Sequence, residues 1–132
     1  MKMMKFEYQG VIYSKKNNKR IITNHRTGRP MITSNRKAKT MEEMMANQFM
    51  IQKIMNNKFI QIKPPFEVLI TIWEKDHTRR DLDNQATSVL DGLVRAGVIE
   101  DDSVNYIERL EVKLGGYDKQ RPRAEIIIKE RG

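Results

Sequence analysis

At 132 residues and 39% hydrophobic, the chain fits one compact domain with a modest core, and its lack of cysteine excludes disulfides and thiolate metal sites. It carries 25 Lys and Arg against 17 Asp and Glu, a formal +8, and 11 of the basic residues lie in residues 1–40 beside one acid, Glu7. No apolar run is long enough to span a bilayer or act as a signal peptide, so a soluble, cytoplasmic single domain over 1–132 is expected, with no membrane partner. The basic N-terminal third attracts a polyanion. Apolar residues there are too few to organise an amphipathic face, which favours nucleic acid over a membrane surface.

In chain order, residues 4–13 read as a strand and 20–23 as a short, weak second one. Residues 24–39 hold Gly28, Pro30, Ser34 and Asn35 among Arg and Lys, a loop composition, so the basic segment 14–39 is expected to be mobile. Thr40 and Glu43 form a capping box that predicts a helix from Thr40 to about Asn57. Met41, Met44, Met45, Gln48, Phe49, Ile51, Gln52 and Met55 put most large apolar groups at three- and four-residue spacing as its core stripe. After Pro64-Pro65, residues 66–73 alternate as a strand expected to be covered on both faces.

A polar bend then leads to a second helix, whose inner face is Leu82, Ala86, Val89, Leu90 and Leu93 and whose C-cap is Gly97. Residues 106–114 and 124–129 predict two further strands, expected to pair as an antiparallel hairpin. This order of elements gives an α+β fold class, a mixed β-sheet packed against two main helices.

Carboxylates concentrate at two points of this basic chain: Asp81-Leu82-Asp83-Asn84 at the entry to the second helix, and Asp101-Asp102 beyond its end. Oxygen-only ligands of this kind suit Mg²⁺, which usually takes one or two carboxylates, several waters and phosphate oxygens of a substrate. Asp91 lies about 12 Å along the helix from Asp83 and opposite the apolar stripe, so it is expected to be solvated. The five steps from Gly97 to Asp102 extend at most about 17 Å, enough to return beside Asp83. The expected constellation is therefore Asp81 and Asp83 with one or both of Asp101 and Asp102.

The same residues have plainer readings. Asp-x-Asp-Asn before an apolar run is a good helix N-cap, and Asp-Asp-Ser is an ordinary turn. Arg79 and Arg80 either neutralise the carboxylates or hold a strand's phosphate. His25 and His77 receive no role, and Trp73 reads as core, with base stacking the lesser alternative.

Taken together, Arg79-Arg80-Asp81-Leu82-Asp83-Asn84, Leu90-Asp91-Gly92-Leu93, Ala96-Gly97-Val98 and Asp101-Asp102-Ser103 resemble the RusA family of Holliday-junction resolvases. The resemblance is close over residues 79–107 and one of order and character elsewhere. It implies a RusA-like fold and a homodimeric, Mg²⁺-dependent endonuclease, with Mn²⁺ an alternative. Such an enzyme binds four-way branched DNA and makes paired symmetric nicks in recombination and repair.

Its catalytic acids would be Asp81, Asp83 and Asp102, with Asp101 beside them as a metal ligand and Asn84 and Thr87 auxiliary, the Thr87 hydroxyl able to bond a metal-bound water or a phosphate. Lys15, Lys16, Lys19, Arg20, Arg26, Arg29, Arg36 and Lys37 would clamp the DNA arms together with Arg79 and Arg80. One position departs from the family pattern: Thr87 stands where the family has a lysine, one turn after the second aspartate. A lost cation there predicts slower cleavage or a shifted metal preference. Two other classes remain open, a junction-binding protein that does not cut and a metal-dependent nuclease for other branched DNA or RNA.

Overall fold

Alternation of Val68, Ile70 and Ile72 with Glu67, Leu69 and Thr71 makes Phe66–Glu74 an inner strand, and the rest of the fold is arranged around it. The computed structural model describes residues 2–14, 19–23, 30–34, 36–56 and 62–130. Its elements are β1 (Met3–Gln9), β2 (Lys19–Thr23), β3 (Pro30–Ser34), α1 (Arg36–Asn56), β4 (Phe66–Glu74), α2 (Leu82–Arg95), β5 (Ile107–Tyr117) and β6 (Arg123–Glu130). The main sheet has the order β1-β6-β4-β5, and β2-β3 is a separate two-stranded ribbon. This is the expected α+β domain with a mixed sheet and two helices.

The expected β5–β6 hairpin does not form. β6 pairs antiparallel with β1 and β4, while β5 runs parallel to β4 on its far side. Apolarity decides the order. β6 buries Ala124, Ile126 and Ile128 and takes an inner position, whereas β5, carrying Glu108, Arg109, Glu111 and Lys113, goes to the edge.

Both helices pack on one face of the sheet. Phe6, Tyr8, Val68, Ile70, Ile72, Ile126 and Ile128 meet Met41, Met45 and Phe49 of α1 and Ala86, Val89 and Leu93 of α2. The helices approach closely at Gly92, where an added Cβ would lie 2.8 Å from Met45 Sδ and 3.2 Å from a Phe49 ring carbon. The second face of β4, expected to be covered, is only half-buried. Leu69 and Thr71 there line an open cavity of about 460 Å³ together with Lys5, Glu111, Lys113 and Glu125.

α1 begins at Arg36, so Thr40 and Glu43 lie inside the helix and do not cap it. Ala38, fully buried, continues the Met41, Met45 and Phe49 stripe one turn upstream, and Arg, Lys and Ala are all strong helix formers. Met44, Ile51 and Met55, expected in the core, are 47%, 57% and 75% exposed, because the helix turns a narrower face to the sheet than its sequence offers. β3 and the start of α1 fall in the range expected to be loop. Lys15, Lys16, His25, Arg26 and Arg29 lie outside the described residues, and Lys19 and Arg20 fall on β2.

Candidate active site

β4 ends at Glu74, and the chain there makes the bend that presents the acids. Glu74 is buried and accepts two hydrogen bonds, from Arg80 Nη1 at 2.8 Å and from Gln85 Nε2 at 2.6 Å. Gln85 Nε2 also donates to the Ile12 carbonyl at 3.0 Å, and Arg80 Nη1 reaches Asp76 Oδ1 at 3.0 Å. This buried network ties β4, the bend and the first turn of α2 into one unit, since a buried polar group left unpaired is costly.

The Asp76 carboxyl is held below its ordinary 3.8 by hydrogen bonds from Thr78 and by Arg80. His77 stacks on Tyr117 at a ring separation of 3.9 Å and pins the bend to the end of β5.

Arg80, read from the sequence as a possible phosphate contact, borders the cleft beside Asp81 but is tied through Nη1 to Glu74 and Asp76. Its side chain is 11% exposed and its guanidinium is occupied internally. Arg79 points outward with a side chain 91% exposed, its Nε 3.6 Å from Asp81 Oδ1.

Asp81 occupies the N-cap position of α2 in extended conformation, yet its side chain makes no capping hydrogen bond. The carboxylate faces the surface, with Asn84 Nδ2 at 3.5 Å. Asp83 is exposed in the first helical turn, and Thr87 Oγ1 donates to the Asp83 carbonyl at 3.1 Å. Beside them opens a cleft of about 550 Å³ lined by Lys37, Lys75, Arg79, Asp81 and Asn84. Lys75 escaped the sequence reading because it looked like one more charge in a polar bend. Glu74 and Gln85 escaped it because a strand-end acid and a helix amide carry no motif.

Asp101 and Asp102 do not join this group. α2 runs back along β4 for 14 residues, about 21 Å. Its end is closed by Gly97 in left-handed conformation at φ 74, with Val98 N–H bonded to the Leu93 carbonyl at 2.9 Å. The Ser103 carbonyl then accepts from Tyr106 and Ile107 N–H, each at 2.9 Å, and Ile107 lies in register with Phe66 at the start of β4.

The two acidic pairs thus stand at opposite ends of the α2 crossover, roughly 20 Å apart. The chain had the length to return along α2, but a parallel β4–β5 pair requires the crossover to deliver it to the far end of the sheet. Among the described residues, no three carboxylates or histidines are arranged to hold a metal ion. Asp91 is half-buried on α2 rather than fully solvated, and Trp73 lies not in the core but half-buried under Arg123, at 4.1 Å from its ring centroid.

The donor chemistry at Asp81 and Asp83 suits a hard divalent cation, since such an ion needs only one or two carboxylates when waters and substrate phosphates complete its shell. No helix of the described residues is long and apolar enough to cross a membrane. A family model described as Endodeoxyribonuclease RusA matches residues 13–129. No curated protein matches the chain.

Proposed function

The chain belongs to the RusA family of endodeoxyribonucleases, and from that membership we propose that it resolves four-way DNA junctions by paired, symmetric nicks in recombination and repair, as a homodimer using Mg²⁺. Family members act on branched DNA and depend on a divalent metal. The single observation that carries the reading is the Asp81–Asp83 pair at the head of α2, freed from capping and set beside a basic cleft.

In this reading the cleft takes the DNA backbone. Lys37, Lys75 and Arg79 hold phosphates through charge-assisted contacts, and Arg79 orients Asp81 as well. Asp81 and Asp83 hold the cation, with Asn84 steadying the Asp81 carboxylate. When bound, the cation polarises the scissile phosphate and eases deprotonation of the attacking water. Glu74, Gln85 and Arg80 keep the acids in position from behind without touching DNA.

Asp102, a catalytic acid by resemblance, enters the same site only from another protomer, because its own chain carries it to the far end of α2. Two protomers then give two composite sites related by a two-fold axis, which matches the symmetry of a junction cut on opposing strands.

A labelled synthetic four-way junction, incubated with Mg²⁺ or Mn²⁺ beside a linear duplex control, tests the function. Wild type should nick the junction symmetrically, and Asp83→Asn should bind it but not cut. Tight junction binding with no cleavage under either metal would sink the resolvase reading and favour a binding protein, with Thr87 as the cause.

A further inference from the structure

Beyond β1 the chain leaves the sheet and is fastened to both helices. Ile12 is buried, and its carbonyl accepts from Gln85 Nε2 at 3.0 Å. Tyr13 is held on both sides: its N–H donates to Met41 Sδ of α1 at 3.0 Å, and its carbonyl accepts from Ser88 Oγ of α2 at 2.8 Å. The side chain packs against the core yet stays half-buried. A backbone tied in this way keeps an aromatic ring at one fixed place on the surface.

Two depressions meet at this residue. One is the basic cleft beside Asp81, whose wall includes Tyr13 and Lys37. The other is a hollow of about 340 Å³ that shares Tyr13 and Lys37 and has Tyr8, Val11 and Met44 as apolar walls. Arg36 and Thr40, both exposed, give it a polar rim. Burial, and then the neighbouring Tyr13, push the Tyr8 hydroxyl above its ordinary 10.0, so it stays a protonated donor. The volume lies at the lower end of the roughly 300–1,000 Å³ of small-ligand pockets.

We propose that this hollow is a stacking site for one unstacked nucleobase, the base attached to the phosphodiester that the neighbouring cleft holds. The inference rests on the reading of the cleft as the site of DNA cleavage and adds a second contact to it. A nucleotide's phosphate and base are one sugar apart, and the two depressions are one side chain apart. A base is flat and apolar on its faces and polar at its edges. The hollow answers with an aromatic ring and apolar walls inside and with a guanidinium and a hydroxyl at the rim. Charge complementarity points the same way, since Arg36 and Lys37 continue the basic lining of the cleft. A continuous duplex keeps its bases in the stack. At the crossing point of a branched DNA stacking is already interrupted, and turning one base outward there costs least.

Stacking on a ring tolerates any base, so the site adds affinity for branched DNA without imposing a sequence. Its occupation would also fix the position of the adjoining phosphate relative to Asp81.

Binding measured with full-length Asp83→Asn, which leaves the DNA whole, tests this on a four-way junction and on junctions lacking one base at successive positions around the crossing point. Tyr13→Leu keeps an apolar wall and removes the ring. In the Asp83→Asn background it should weaken binding to the intact junction about tenfold, while Tyr13→Phe, which keeps the ring, should bind like its parent. On the junction that lacks the stacked base, the leucine penalty should vanish, because ring and base act as a pair. A penalty of equal size on every junction means that Tyr13 only shapes the cleft wall. That result, or no penalty anywhere, overturns the base site and leaves the resolvase reading standing. A chain that binds the junction no better than linear duplex overturns both.

Discussion

Asp81 occupies the place where a helix usually spends an aspartate on its own N–H groups, and it does not spend it. A carboxylate withheld from capping forgoes about 1 kcal/mol of local stability, a loss that the proposed role of Asp81 in holding a cation would explain. Thr87 shows the opposite economy. Its hydroxyl is committed to the Asp83 carbonyl one turn back, so it secures the helix beneath Asp83 and offers no cation to a phosphate. Thr87→Lys would put an ammonium on the same exposed turn. Junction cleavage should then rise about tenfold to a hundredfold, at or below the lower end of what one preorganised electrostatic contact to a transition state contributes, with thermal stability nearly unchanged. An unaltered single-turnover rate would show that the threonine is no handicap. Arg79 and Arg80 teach the same lesson. Adjacent and identical in sequence, they divide into one guanidinium in solvent and one locked under Glu74, a difference that depends on a partner six residues away and on burial.

Gln48 and Gln52 show how an element can be held by side chains that look like filler. One turn apart on α1, each reads both the N–H and the C=O of one residue on β1, so the helix acts as the next strand of the sheet. Gln52→Ala should cost about 1–2 kcal/mol and speed amide exchange at Glu7, and Gln48→Ala should do so at Gln9. Exchange unchanged at both amides would mean that the ladder is incidental. Periodicity in the sequence located β1, β4, α2, β5 and β6, because each buries one face and the alternation records it. It missed the start of α1, where Ala38 rather than the Thr40 capping box marks the first buried turn. It also mispaired β5 with β6, since neighbours along the chain need not be neighbours in a sheet once β4 lies between them. Spacing placed the two glutamines on the inward stripe of the helix, but only the edge strand opposite shows what they bind.

At the scale of the whole molecule, the acidic motifs were legible as residues but not as a site. Asp81, Asp83, Asp101 and Asp102 are near in sequence and at the two ends of α2 in space, a separation fixed by the parallel β4–β5 pairing. A composite site between protomers makes a prediction that a site closed within one chain cannot. Asp83→Asn and Asp102→Asn should each be inactive alone. In a mixed dimer, however, both substitutions fall in the same site, and the other site keeps Asp83 from one protomer and Asp102 from its partner. Re-equilibrated equal mixtures should regain about a quarter of the wild-type sites, half the dimers being mixed with one good site in each. The regained activity should nick a junction on one strand without resolving it, because the symmetry-related cut is missing. If the acids instead worked within one chain, every site in the mixture would carry one substitution and no activity would return. Restoration of nicking without resolution, read on a denaturing gel beside a native one, therefore decides how many chains build one active site.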